Sequence, residues 1–271
     1  MPISLRDDLG RVLTLAAPAR RIVSLSPAAT ENLFAIGAGR FVVGVTAADT
    51  YPPEATKLPR VGDFGAPRYE TLRALKPDLI IAESGTLRAD ALVGIAERAK
   101  TPVFAQVSAR YADVEKHLRQ LATLTGLGRG ADKPIAALRA AEASAKRAAK
   151  GKPPVSAFLE VSRSPLYAAA SGSFMDDCLR IAGGVNVVKG LDPYPMVSRE
   201  SLLLSDPQVY VTTFAGATET IRRGEPLPAP LSRIRAAKTG RVVALPVDLL
   251  FRPTPRLARG LLLLSRVLHG K

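Results

Sequence analysis

Two histidines, His117 and His269, and one cysteine, Cys178, are the only imidazole and thiol groups in this sequence. A nucleophilic triad needs an imidazole between a nucleophile and a carboxylate, and a zinc centre needs three or four converging His, Cys or carboxylate ligands. Neither spacing is present, and there is no His-Glu-x-x-His run. His117 falls in a helical pattern and His269 at the end of the chain, so both are expected at the surface. Cys178 lies in the apolar-periodic stretch from Phe174 to Ile181, where a buried and inert thiol is expected, and a lone cysteine forms no intramolecular disulfide. The GxxxxGK[ST] phosphate loop and the GxSxG nucleophile elbow are both missing. Gly37-Ala38-Gly39 resembles the start of a dinucleotide fingerprint, but it follows a helix instead of opening one and lacks the third glycine. Carboxylate-only catalysis stays open on spacing alone. The expectation is a binding protein and not an enzyme, with no catalytic residues and no metal ligands.

The elements that would position a binding site alternate between strand and helix, which predicts parallel sheets with crossover helices. Strands are expected at Arg21–Leu25, Phe41–Val45, Leu79–Ala82 and Val103–Gln106, with helices at Tyr69–Leu75, Leu87–Ala99 and Tyr111–Thr125. Ser26-Pro27 supplies an N-cap and a first-turn proline for a further helix, and Gly37 its stop. From Asp132 to about Ala149 the composition turns to Ala, Lys, Arg and Glu without glycine, and Pro153-Pro154 closes what reads as one long helix. Alternation then resumes with strands at Ser156–Val161, Gln208–Thr213 and Arg241–Leu245, and helices at Phe174–Ile181, Arg199–Leu204 and Pro255–Leu268. The expected organisation is an N-terminal α/β lobe over residues 1–130, a connecting helix over 131–152 and a C-terminal α/β lobe over 153–271. Each lobe is Rossmann-like, a ligand cleft lies between them, and a single helix as the link would hold their separation nearly fixed.

An internal echo supports two related lobes. Glu70-Thr71-Leu72-Arg73-Ala74-Leu75-Lys76-Pro77-Asp78-Leu79-Ile80-Ile81 matches Glu200-Ser201-Leu202-Leu203-Leu204-Ser205-Asp206-Pro207-Gln208-Val209-Tyr210-Val211. Glu, Leu, Pro and two apolar strand positions recur at the same spacing, so each copy reads as a short helix opened by a glutamate, a proline turn and a buried strand. A weaker echo joins Ile36-Gly37 to Ala182-Gly183.

With 47% hydrophobic and 23% charged residues over 271 positions, the composition is that of folded globular proteins and not of disordered chains. No apolar run approaches the roughly 18 residues that span a bilayer, and Met1 to Asp8 carries no signal core, which fits either a cytoplasmic protein or a chain that begins after a removed export signal. The net charge of +14 invites a nucleic-acid reading, but the basic residues are dispersed and there is no tryptophan to stack bases. No nucleic-acid partner is expected; the charge fits a solvated basic surface or attraction to acidic surfaces and ligands.

Arg21 to Glu31, Val43-Gly44-Val45, Tyr51-Pro52-Pro53, Tyr69 to Ile81 and Val197 to Ser201 together resemble the helical-backbone (class III) substrate-binding proteins of ABC transporters, in order and over nearly the whole chain. Within that family the sequence looks most like the cobalamin (vitamin B12) binders. The resemblance implies an exported, periplasmic or lipid-anchored protein that acts as a monomer and delivers a corrinoid to an ABC permease dimer. Glu70 and Glu200 match the two glutamates that dock onto permease arginines; dipole stabilisation in a helix's first turn is the plainer role for each. The positions matching the family's corrin contacts carry Tyr51, Phe64, Tyr167 and Tyr194 in loops, with Asp248 and Phe251 in the loop after the last strand, Asp248 being able to accept hydrogen bonds from ligand amides. Glu83 departs from an aromatic position of the pattern, and core packing is the alternative role for each aromatic residue. A ferric siderophore would instead meet Arg163, Arg252 or Arg68, and haem an axial tyrosine. A two-lobed nucleotide-dependent transferase is the reading from another class, though no phosphate loop supports it.

Overall fold

The computed structural model describes residues 2–63, 66–83, 89–190, 192–215 and 220–270. The chain divides into two compact units, the first made of residues 1–108, 112–136 and 253–255 and the second of 109–111, 137–252 and 256–271.

In the first unit the strands are β1 (Ile3–Arg6), β2 (Val12–Leu15), β3 (Ile22–Ser24), β4 (Val42–Gly44), β5 (Gly62–Asp63), β6 (Ala66–Pro67), β7 (Leu79–Glu83) and β8 (Val103–Gln106). Its helices are α1 (Pro27–Ala35), α2 (Tyr69–Leu75), α3 (Ala89–Ala99) and α4 (Tyr111–Thr125), followed by α5 (Asp132–Ala149), inside which the chain passes to the second unit. The sheet runs β4-β3-β7-β8 and every pair in it is parallel. Parallel strands buried on both faces read as continuous apolar runs, and Leu79, Ile80, Ile81 and Ala82 are each fully buried.

In the second unit the strands are β9 (Val155–Arg163), β10 (Leu166–Ala168), β11 (Gly184–Asn186), β12 (Val209–Phe214), β13 (Arg222–Arg223) and β14 (Val242–Pro246). The helices are α6 (Phe174–Ile181), α7 (Arg199–Ser205), α8 (Arg235–Lys238), α9 (Val247–Leu250) and α10 (Leu257–His269). Here β11, β9, β12 and β14 are parallel in that order, while β10 and β13 join antiparallel, so the sheet is mixed where a parallel one was expected. The addition of β10 is a tight return of the chain against β9, which antiparallel pairing permits without a crossover helix, whereas α8 lies between β13 and its partner β14 in the chain.

The two parallel sets share one order, with β4-β3-β7-β8 answered by β11-β9-β12-β14. The sequence echoes fall on equivalent places in it. Helices α2 and α7 each have seven residues, each ends in a non-glycine left-handed residue (Lys76, φ 46°; Asp206, φ 38°), and each leads through proline into a central strand. Leu72 and Leu202 point inward, 0% and 1% exposed. Helices α1 and α6 are both capped by a serine, Ser26 and Ser173, which accept from the Ala29 and Asp176 amides. Both are followed by a glycine at φ 82°, Gly37 and Gly183, and a Cβ on Gly183 would lie 2.5 Å from the Ala149 side chain.

The N-terminal hairpin β1–β2, absent from the sequence expectations, covers the exposed edge of β8, as a sheet edge requires. Its turn is sewn to β8 by the Asp8 amide donating to Ala105 O at 3.1 Å and the Val107 amide donating to the Asp8 carboxylate at 2.8 Å. Asp8 also accepts from His117 Nε2 at 2.7 Å and Gln120 Nε2 at 3.0 Å, and pairs with Lys116 at 3.1 Å. His117 is therefore a buried anchor, 2% exposed, and not the surface histidine expected from its helix. His269 is half-buried as well, its Nε2 donating to Ala182 O at 2.7 Å inside the last turn of α10. Cys178 is buried as expected.

Burial works to raise the Asp8 pKa, but hydrogen bonds from His117, the Val107 amide and Gln120 outweigh it and hold the carboxyl well below the usual carboxylate range. A carboxylate depressed in the folded state binds fewer protons there than in the unfolded chain. Its contribution is complete above the unfolded value of about 4 and is lost as pH falls towards the folded value. Asp8→Ala is expected to cost about 3 kcal/mol near neutral pH, since it strands a buried partner. Urea unfolding checks this: the gap between wild type and variant should narrow from pH 6 to pH 3.

Candidate functional site

A parallel strand cannot turn straight back, so every loop that leaves its carboxyl end emerges at the same edge of the sheet, which is where open α/β sheets bind ligands. In the first unit that edge carries Ser24 at the end of β3 and Ser26 just after it, Tyr51 in the loop after β4, Glu83 at the end of β7 and Gln106 at the end of β8. Tyr51 is 39% exposed. The departure at Glu83 has a local use: its carboxylate accepts from Ser26 Oγ at 2.9 Å, tying β7 to the serine that caps α1. Phe64 lies outside the described residues, as does the Leu87 end of the expected third helix.

In the second unit the same edge carries the β9–β10 hairpin and α9. Tyr167 sits within β10 and not in a loop, and is 38% exposed. Tyr194, 41% exposed, is on the neighbouring segment, where its amide donates to Asp192 Oδ1 at 2.8 Å. The two segments are laced together by Val197 N donating to Leu166 O at 2.9 Å, Ala168 N to Pro195 O at 3.2 Å and Ala170 N to Pro193 O at 2.9 Å. The fold thus brings Tyr167, on β10, and Tyr194, in the segment hydrogen-bonded to it, onto neighbouring stretches of chain although 27 positions separate them in sequence. Asp248 and Phe251, expected in a loop, belong instead to the short helix α9 and its C-cap, because β14 runs directly into a helical turn. Asp248 is engaged by Arg252 Nη2 at 3.1 Å, so its carboxylate is held by a cation four residues on.

Beneath the hairpin lies a buried polar group that the sequence reading did not single out. The register between β9 and β10 shifts, with Ser162 opposite Tyr167 but Glu160 opposite Ala168, so Val161 is the extra residue of a bulge. In an uninterrupted strand, residues three apart face opposite ways. The bulge cancels one alternation and returns Arg163 to the face of Glu160, where Arg163 Nε donates to Glu160 Oε2 at 3.1 Å. Thr212 Oγ1 donates to the other oxygen at 2.6 Å, and the Tyr210 hydroxyl donates to Oε2. Glu160 is 7% exposed and Tyr210 fully buried. Burial, and then the hydrogen bond to Glu160, push the Tyr210 phenol far up. For Arg163 burial acts downwards, and the hydrogen bond and charge of Glu160 outweigh it to raise the pKa. The visible signal was a carboxylate at an inward-facing position of the apolar run Val155–Val161. Its partners came from another strand and could not be read from it.

Arg252 and Arg163 are therefore both ion-paired, and Arg68 donates to Arg60 O at 3.4 Å. Glu70 and Glu200 stand at the second position of α2 and α7. Each helix returns the chain to start a central strand, so it begins at the carboxyl edge of its own sheet. The Glu70 side chain is 85% exposed, with Arg73 Nη2 3.7 Å from its carboxylate, and Glu200 is exposed too. Among the described residues no group of three His, Cys, Asp or Glu side chains converges as a metal site.

Residues 22–249 match the signature of the periplasmic binding protein family. A vitamin B12-binding protein of Vibrio cholerae is 30% identical over 240 residues, which cover 88% of this chain and 85% of the relative. Among solved structures, the periplasmic vitamin B12 binding protein of Vibrio cholerae superposes with a TM-score of 0.79 at 26% identity, covering 94% of this chain and 99% of that one. A periplasmic heme-binding protein from Roseiflexus sp. RS-1 superposes with a TM-score of 0.77 at 23% identity, covering 93% and 98%, and shares the fold.

Replacing Glu160 by Ala leaves a buried phenol and a guanidinium without their common acceptor, and is expected to lower stability by about 3 kcal/mol. Glu70→Ala and Glu200→Ala, at exposed positions, are expected to stay within about 0.5 kcal/mol of wild type. Denaturant midpoints for the three variants separate these expectations.

Proposed function

Because this chain belongs to the periplasmic binding protein family, whose members are extracytoplasmic carriers and not enzymes, we propose that it binds cobalamin or a related corrinoid and delivers it to an ABC importer. The ligand reading is supported chiefly by the 30% identity to a vitamin B12-binding protein over 88% of the chain. It is also supported by where the aromatic residues stand. Tyr51, Tyr167 and Tyr194 are exposed at the carboxyl edges of the sheets, where rings gain affinity from van der Waals contact with a large flat ligand. In this reading Phe64 and Phe251 add apolar contact, and Asp248, steadied by Arg252, accepts from corrin amides.

Delivery rests on α2 and α7. Two seven-residue helices of the same construction, each presenting an exposed glutamate at its second position, offer a permease dimer a pair of equivalent acidic contacts. Helix-dipole stabilisation explains either glutamate alone; their recurrence at one place in a repeated module favours a partner with two matching basic contacts.

A second reading keeps the same carrier role with haem or a ferric siderophore as cargo. The exposed phenols of Tyr167 and Tyr194 are the observation in its favour, since a phenolate is a recognised axial ligand of haem iron.

Calorimetric titration with cyanocobalamin is expected to give saturable binding. No heat at tens of micromolar would refute the corrinoid reading, and haemin and ferric chelates would then be titrated for the second. Reversing charge at both sites, Glu70→Arg with Glu200→Arg, is expected to abolish permease-dependent uptake while ligand affinity stays unchanged. Undiminished uptake would refute the docking role.

A further inference from the structure

The bulge that turns Arg163 inward also sets which residues face outward on the β9–β10 hairpin. Val161 and Tyr167 take the outer face and are 39% and 38% exposed. Tyr167 is bridged antiparallel to Met196, so the two residues stand directly opposite each other. Residues paired across antiparallel strands project to one face with their side chains in reach of each other. Met196 is 68% exposed, whereas Met175 is 1% exposed in the core. Three large apolar side chains thus share one solvent-facing surface at the carboxyl edge of the second unit's parallel strands. Exposed apolar patches of this kind mark binding surfaces. The backbone beneath is held by the ladder between residues 166–170 and 193–197, so only side-chain freedom is lost when something settles on it. A thioether is unbranched and polarizable and packs well against aromatic systems.

We propose that Met196 and Tyr167 form an apolar platform on which one face of a flat macrocyclic chelate rests, and that oxidation of the Met196 thioether weakens ligand binding. This rests on the ligand reading given above and adds a contact that no sequence pattern indicated. In the oxidation, a sulfur lone pair attacks one oxygen of a peroxide. The S–O bond forms as the O–O bond breaks, the second oxygen leaves as water after proton transfer, and methionine becomes its polar sulfoxide. Cys178 does not compete for the oxidant, because it is fully buried and burial pushes its thiol far up.

The test compares wild type, Met196→Leu and Met196→Gln, titrated with cyanocobalamin, with haemin and with a ferric hydroxamate, before and after hydrogen peroxide. Peptide masses locate the added oxygen, and circular dichroism confirms that each variant folds. The expected result is macrocycle binding near wild type for Met196→Leu and about tenfold weaker for Met196→Gln. Peroxide should weaken wild type to a similar extent and leave Met196→Leu unaffected. Equal macrocycle affinity in wild type and Met196→Gln would overturn the platform while leaving the cargo reading intact. Wild type that binds only the ferric hydroxamate, or none of the three probes, would overturn the macrocycle reading and the platform together.

Discussion

The place of the candidate site in each unit follows from one constraint on parallel strands: the chain must leave at one edge of a sheet and come back at the other through a crossover. Loops that depart from carboxyl ends therefore collect at one edge, and the helices that bring the chain back begin there. In the first unit this collects Ser26, Tyr51 and Glu83 at the ends of β3, β4 and β7; in the second it collects the β9–β10 hairpin, the Tyr194 segment and α9. Glu70 and Glu200 belong to the same edges for the same reason, since α2 and α7 start where the preceding strand's loop ends.

The shared strand order of the two units gives this constraint a second expression. A module of serine-capped helix, left-handed glycine, short strand, seven-residue helix, left-handed cap, proline and central strand occurs twice. Repetition of the module accounts for matched outer surfaces without requiring matched binding surfaces. Where the copies differ, function has room. The second unit adds β10 and its bulge, and with them a buried carboxylate shared by Arg163, Tyr210 and Thr212 and an outward row of apolar side chains.

Much of the first level was legible because it is local. The helices at Tyr69–Leu75, Tyr111–Thr125, Asp132–Ala149 and Phe174–Ile181 and the strand at Val103–Gln106 stand where periodicity and caps put them. Short-range errors were of a different kind. The alternation in Ile3–Arg6 and Val12–Leu15 around Asp7-Asp8-Leu9-Gly10 carries a hairpin signal that the expected elements omit, and α9 begins with no break after β14. The histidines depart from the surface expectation because a helical pattern tells which residues share a face, not which neighbour covers that face; His117 is covered by a hairpin more than a hundred residues away in sequence.

Residue order alone carries the alternation of elements, the repeated module with its two glutamates, the lack of triad and phosphate-loop spacings, and a family resemblance that the comparisons support. These are encoded in residue type and in spacings of a few positions, so they survive without coordinates. Tertiary structure alone decided that Glu160 has three donors, that Asp8 and His117 anchor the N-terminal hairpin, and that Met196 stands opposite Tyr167. Those pairings depend on strand register and on a single bulge residue. Register is set by long-range packing, and a one-residue shift in it sends every following side chain to the other face.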